Sequence, residues 1–254
     1  MHHNTTPKTL CPSLINCTLN AQDAPIISLK NLVAQHASTF KLPRHLTIQC
    51  TITKNAHIEL VDDLCCCENI SPDAPWETTL IITLEENATV HYHLGALSDK
   101  CPKGLTHSSC SIKKNLTFLL IGQHSQAHAT CACMGMEQGS YTFNTKQEHC
   151  ASHTTSSLVI KGALADTANI KNNALIKVHK NCKNVTASQQ SRSLLLSPQA
   201  HVITIPTIEI ESDDVRCRHD AIITKVNKEH LFYLQSRGIP YEIAQQKLVT
   251  AFLR

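Results

Sequence analysis

A chain of 254 residues is long enough to bury one sizeable core without cross-links, and its 23 Lys+Arg against 20 Asp+Glu, with no aromatics clustered among basic residues, argues against a nucleic-acid-binding face. Aromatic residues make up only 4% while Val, Ile, Leu and Thr are abundant, a balance that suits stacked, evenly sized strands. The first residues lack a basic segment followed by an apolar one, and no run approaches the roughly 20 apolar residues of a membrane helix; a cytoplasmic protein with no membrane contact is expected, its 13 cysteines reduced.

Taken in order, residues 1–25 carry Pro7, Pro12 and Pro25 among polar residues and read as a poorly ordered lead-in. The stretch 26–36 reads as a short amphipathic packing helix with Leu29, Leu32 and Val33 on one face. Short β-branched segments then recur: LTIQCTI (46–52), AHIELV (56–61), TLIITLE (79–85), TVHYHL (89–94) and LTFLLIG (116–122). Downstream, SSLVIKG, ANIKNNALIKV, VTASQQSRSLLLS and AHVITIPTIEI place a strand about every ten residues, with Asp166, Asn172, Asn173, Asn181 and Asn184 expected at corners. This spacing fits a sandwich or a solenoid. Sandwich hairpins prefer Asn-Gly or Asp-Gly turns, yet there are only 7 glycines and no such dipeptide, so a solenoid of stacked parallel strands is favoured.

The strand containing Ile205, Thr207 and Glu209 runs into an acidic turn at Asp213 and Asp214, and then into Val215-Arg216-Cys217-Arg218-His219. Cys217 and His219, two residues apart on an extended backbone, project from one face, with the two guanidinium groups on the other. Asn227 reads as the N-cap of a helix with Leu231, Leu234 and Phe232 inward, stopped at Gly238. Pro240 restarts a helix whose Tyr241, Ala244, Leu248 and Phe252 form an apolar stripe in need of a partner surface.

Other chemistry is weaker. Adjacent residues of Cys65-Cys66-Cys67 would point to opposite strand faces. Cys131-x-Cys133, followed by His149, Cys150 and His153, matches no known metal knuckle and reads as packing cysteine. His91-x-His93 has no third ligand nearby in sequence and reads as a surface strand. Neither GxxxxGK[ST], GxGxxG nor GxSxG occurs, so no phosphate cradle and no serine-hydrolase elbow is present, and the chain is not expected to be an enzyme.

The run IEIESDDVRCRH followed by LFYLQSRGI, together with residues 149–200 upstream (a histidine-rich strand, a Lys-Gly turn, an Ala-Gln segment and a Leu-Leu-Leu-Ser rung), resembles the SufB/SufD family of scaffold subunits in SUF iron-sulfur cluster assembly, the SufD branch more closely. The resemblance covers residues 149–254 and fades towards the N-terminus. It implies a right-handed parallel β-helix with a C-terminal α-helical segment, divided as lead-in and short helix 1–45, β-helix core 46–226 and ATPase-docking helices 227–254. It also implies a SufB-like partner subunit and a SufC-like ABC ATPase. The histidine of such a subunit faces SufB, which places cluster assembly at His219 and Cys217 as ligands only in the complex. The isolated chain then holds no cofactor, a transient iron-sulfur cluster forming only with the partner. Phe232, Tyr233, Arg237, Tyr241, Leu248 and Phe252 would contact the ATPase. Where SufD sequences continue with Gly after this histidine and SufB sequences with Glu, the chain has Asp220, so a SufB-like scaffold is one alternative; a β-helix polysaccharide-acting enzyme and a cysteine-rich metal store are others.

Overall fold

A computed structural model describes residues 14–20, 22–23, 26–36, 44–63, 76–95 and 111–254. The strands in chain order are β1 (Leu14–Leu19), β2 (Ile26–Ser28), β3 (His45–Ile52), β4 (His57–Asp62), β5 (Trp76–Leu84), β6 (Thr89–Gly95), β7 (Ser111–Leu120), β8 (Gln126–Gly135), β9 (Ser140–His149), β10 (Thr155–Leu164), β11 (Asn169–Val178), β12 (Val185–Leu195), β13 (His201–Ile210) and β14 (Val215–Lys225). One helix, α1 (Leu29–His36), follows β2, and two, α2 (Lys228–Ser236) and α3 (Tyr241–Leu253), close the chain.

Successive strands alternate between two seven-stranded sheets, one ordered β1-β3-β5-β7-β9-β11-β13 and the other β14-β12-β10-β8-β6-β4-β2. Every pairing is parallel, for example Ser140 beside Asn169 and Asn169 beside His201. The chain therefore winds as a parallel β-helix of about six turns, as the strand spacing and the scarcity of glycine indicate. Period-two burial along nearly every strand is the cause: Leu46, Ile48, Cys50 and Ile52 of β3 face inward and stack on Leu80, Ile82 and Leu84 of β5.

The left-handed positions of the solenoid corners are taken without glycine. Positive φ angles fall on Asn55, Asn87, His124, Glu137, His153, Asp166, Asn181 and Asn184, mostly the residue types whose short polar side chains tolerate the left-handed region. Asp166, Asn181 and Asn184 are corners as expected, whereas Asn172 and Asn173 lie inside β11. Asn173 is instead the top of a ladder on the outer face, its Nδ2 donating to Asn144 Oδ1 at 2.8 Å, while Asn144 Nδ2 donates to Asn115 Oδ1 at 2.7 Å. The expected Lys161-Gly162 turn is likewise strand: both residues belong to β10, and a Cβ on Gly162 would meet Ile170 Cδ1 at 2.4 Å. Close approach of Ile170 from the opposite sheet, not chain reversal, is what this glycine accommodates.

The N-terminal stretch departs from the expected lead-in. Leu14–Leu19 form β1, which pairs with β3, so the solenoid begins before residue 46. Strands β8 and β9 also escape the sequence pattern, because alanine, cysteine, threonine and glutamine fill many of their inward positions. Helix α1 does form, with Leu29, Leu32 and Val33 buried in the main core. That core holds a buried ion pair: Lys114 Nζ lies 2.9 Å from Asp62 Oδ2, which also accepts from Tyr92 Oη at 2.7 Å, and the ammonium sits 4.8 Å from the centre of the Trp76 ring. Cys65-Cys66-Cys67 lies outside the described residues.

Among the described residues the last turn forms an open edge of both sheets. β13 and β14 are the edge strands of their sheets, and Ile203, Ile205, Ile210, Ile222 and Ile223 are exposed there. Helix α3 does not cap this end; it lies on the outer face of the second sheet and packs on β10. Ala132, Ala163 and Leu194 form the bed on which Val249, Leu253 and part of Phe252 rest. Two alanines in that bed let the helix approach closely, and α2 packs on α3.

Candidate functional site at the open end of the solenoid

Cys217 and His219 sit on β14, and the alternation predicted for them holds. The parallel register sets Cys217 beside Ala187 and His219 beside Gln189 of β12, both inward-facing positions. Arg216 and Arg218 are exposed on the opposite face with Asp220, whose Oδ2 accepts from Gln190 Nε2 at 3.3 Å. Since no further strand among the described residues covers β14, His219 is exposed and Cys217 half-buried. An inward-facing imidazole and thiol thus stand at the mouth of the solenoid rather than inside it.

Burial raises the Cys217 thiol above the usual range, offset in part by a hydrogen bond with the Ala187 backbone. The two arginines point away and do not activate it; a thiolate at Cys217 needs a metal or a partner charge to form.

Beneath this edge the interior is mixed: Ile176, Val178, Val185 and Ala187 form an apolar cluster on which Cys217 packs, and amides occupy other inward positions. Gln189, 1% exposed, has an Oε1 with no hydrogen-bond partner, and both side-chain polar atoms of Asn172 and of Gln147 are equally unpaired among the described residues. Ser191 Oγ lies 3.3 Å from Thr204 Oγ1, linking the two sheets across this space. Unpaired buried amides are costly, and of these three Gln189 stands directly beside His219 while Asn172 and Gln147 belong to the other sheet. Sequence inspection missed Gln189 and Asn172, because inward facing is a property of the register and not of the residue type.

The remaining candidates resolve into structure. His149 is fully buried between Thr154 Oγ1 (2.7 Å from Nδ1) and Ser156 Oγ (2.9 Å from Nε2), and burial lowers its pKa to about 4. Cys131 and Cys133 are buried and bear free thiols, raised by burial in both cases and pushed up to about 12 at Cys133. His91 stacks on His128 at 5.0 Å on the outer surface, as a surface strand allows.

The C-terminal helices correct the expected inward and outward faces. Asn227 is the N-cap, accepting from the Glu229 and His230 backbone N–H groups, and Gly238 takes φ +81 between the helices. Phe232, however, is 71% exposed, and α2, which packs on α3, buries no residue fully. In α3 the buried residues are Ala244, Val249 and Leu253; Tyr241 is exposed, Leu248 is half-buried, and Phe252 packs against the alanine bed. The predicted stripe is thus turned by about one residue, a shift that places Phe252 in the fold. Phe232, Tyr233, Tyr241 and Ile243 form an exposed apolar surface, with the Arg237 guanidinium 5.3 Å from the Tyr233 ring.

No helix among the described residues is long and apolar enough to cross a membrane. The family described as "SUF system FeS cluster assembly, SufBD core domain" matches residues 48–252. Similar curated proteins are the iron-sulfur cluster assembly protein SufD of Escherichia coli (strain K12), 30% identical over 141 residues covering 56% of this chain and 33% of that protein, and SufD of Bacillus subtilis (strain 168), 29% identical over 150 residues covering 59% and 34%. SufB of the same Bacillus strain is 26% identical over 177 residues, covering 66% of this chain and 34% of that protein. The matches span about a third of the length of these relatives.

Proposed function

Because the chain belongs to the SufB/SufD family of SUF iron-sulfur cluster assembly proteins, and within it resembles SufD, we propose that it is a non-catalytic scaffold subunit in the cytoplasm that completes its assembly site only when a SufB-like subunit covers the open end of the solenoid. The observation that carries this is the exposed edge strand β14, which holds His219 and Cys217 on its inward side. An edge strand offers a row of unsatisfied N–H and C=O groups, and the exposed isoleucines of β13 and β14 add an apolar rim. A second solenoid meeting edge to edge would satisfy both and would bury His219 in the join.

In that complex the iron-sulfur cluster is cargo, built between subunits. Imidazole and thiolate are both competent iron ligands, but two donors fall short of the roughly four a cluster requires, so the partner supplies the rest. The raised Cys217 thiol fits this division: it stays protonated in the free subunit and deprotonates on metal binding. The exposed surface of α2 and α3 is the docking face for a SufC-like ABC ATPase, with Phe232, Tyr233 and Tyr241 as anchors and Arg237 holding the Tyr233 ring.

Anaerobic co-expression with a SufB-like subunit and a SufC-like ATPase tests the reading. Capture of both by the wild-type chain, with acid-labile sulfide in the purified complex and none in the isolated chain, is the expected result. Failure to capture either partner from a reduced lysate overturns it.

A further inference from the structure

A second group of donor atoms stands on the other sheet, in the turns beneath β13, and plays no part in the proposed function. β9 ends at His149 and β11 at Val178, in a register that sets Lys177 beside Glu148 and Val178 beside His149. The pairing continues one residue further, the His179 backbone N–H donating to His149 O at 3.0 Å, so His179 follows Val178 as Cys150 follows His149. One donor atom each from Glu148, Cys150 and His179 thus lies within 4.8 Å of the others. His179 Nε2 is 2.7 Å from Glu148 Oε1, and Lys146 Nζ is 2.6 Å from Glu148 Oε2.

An ion pair accounts for Glu148 and His179 but not for a thiol in the same space. Cys150 is exposed, so it is not placed there by core packing, unlike Cys131 and Cys133. Carboxylate oxygen, thiolate sulfur and imidazole nitrogen from stacked turns form a three-donor set in which each type is a ligand for a borderline divalent metal. Glu148 lies within β9, while Cys150 and His179 are the first residues past β9 and β11, each tied to the turn beneath by its backbone N–H, Cys150 to Leu120 O and His179 to His149 O, both at 3.0 Å.

We propose that Glu148, Cys150 and His179 form a binding site for a divalent transition-metal ion of the zinc class, with its fourth position open to water. Bound donors sit about 2.0–2.3 Å from such an ion, so the three atoms draw together by side-chain rotation alone. The ion inserts between His179 Nε2 and Glu148 Oε1; the imidazole proton moves to Nδ1, the thiol proton leaves to solvent, and the metal keeps its oxidation state. Lys146 stays on the second carboxylate oxygen and fixes the orientation of Glu148, as partners of metal-bound carboxylates do. Mixed N, S and O ligation favours Zn2+ over Fe2+ and Mg2+.

The test uses the full chain, reduced and metal-free, titrated anaerobically with Co2+ and then displaced with Zn2+. The wild-type chain should take up one more equivalent of Co2+, with its thiolate-to-cobalt charge-transfer absorption, than Cys150→Ser or His179→Gln, and Zn2+ should bleach that band. The thiols elsewhere remain in every variant and cancel in the difference. Glu148→Gln, an isosteric change on the outer face, should keep the fold and weaken that equivalent by about tenfold or more. If Cys150→Ser, His179→Gln and Glu148→Gln match the wild-type stoichiometry, absorption and affinity, the site is overturned. Should either of the first two variants lose its cooperative unfolding transition, Glu148→Gln alone decides the question by the same readings.

Discussion

His219 of β14 stands directly beside Gln189 of β12, so the exposed imidazole at the solenoid's edge borders a buried carboxamide whose Oε1 has no hydrogen-bond partner among the described residues. Reactive and unsatisfied groups meet at one end of the fold. At the other end α1 covers the core with Leu29, Leu32 and Val33.

His219→Ala should therefore change stability little, within about 0.5 kcal/mol, because the side chain is exposed. Capture of the SufB-like subunit should persist while cluster formation in the complex is lost. Thermal unfolding, co-purification, and iron and sulfide content measure the three; normal cluster content in the variant complex would place the site elsewhere.

Asn172→Leu should stabilise the chain by about 1–2 kcal/mol, since both polar atoms of the buried Asn172 side chain lack hydrogen-bond partners among the described residues and leucine has similar volume. A higher urea midpoint at unchanged slope is the expected result. A lower midpoint would show that the amide is hydrogen-bonded in solution.

His149 makes stability depend on pH. Its folded pKa of about 4 lies below the ordinary value of 6.5, so the unfolded chain takes up the proton first as pH falls. The contribution is complete above pH ~6.5 and is lost between there and pH ~4, by up to about 3 kcal/mol. Urea melts across that window should show a shallower slope for His149→Gln than for wild type; parallel curves would mean that this imidazole does not titrate as its burial requires.

Lys114→Met should be strongly destabilising, by about 3–5 kcal/mol, because it removes the ammonium that pairs with the buried Asp62 carboxylate. The double variant Lys114→Met with Asp62→Asn keeps an acceptor for Tyr92 Oη and should recover most of the loss. Additive losses in the double-mutant cycle would contradict a coupled pair.

Two helical substitutions should separate docking from folding. Phe232→Ala leaves stability unchanged but weakens ATPase capture by about 2 kcal/mol, as loss of an exposed aromatic anchor does. Leu253→Ala, buried on the alanine bed, costs about 2–3 kcal/mol of stability. Equal effects of both on the melting temperature would mean that α2 packs more deeply than its exposure indicates.

Much of this architecture is written locally. Alternation marks Leu46–Ile52 and its successors as strands, scarce glycine with abundant Asn and Asp selects a solenoid, and Asn227 and Gly238 bound α2, because each rule depends on neighbours in sequence. The shared face of Cys217 and His219 follows from the same period. Tertiary structure decided the rest. That β14 is an edge is a matter of which turn comes last, and that Phe232 is exposed while Phe252 packs depends on where α3 meets the alanine bed. Glu148, Cys150 and His179 meet only because one turn of the solenoid stacks residues about thirty positions apart, a distance over which no local pattern in the sequence carries information.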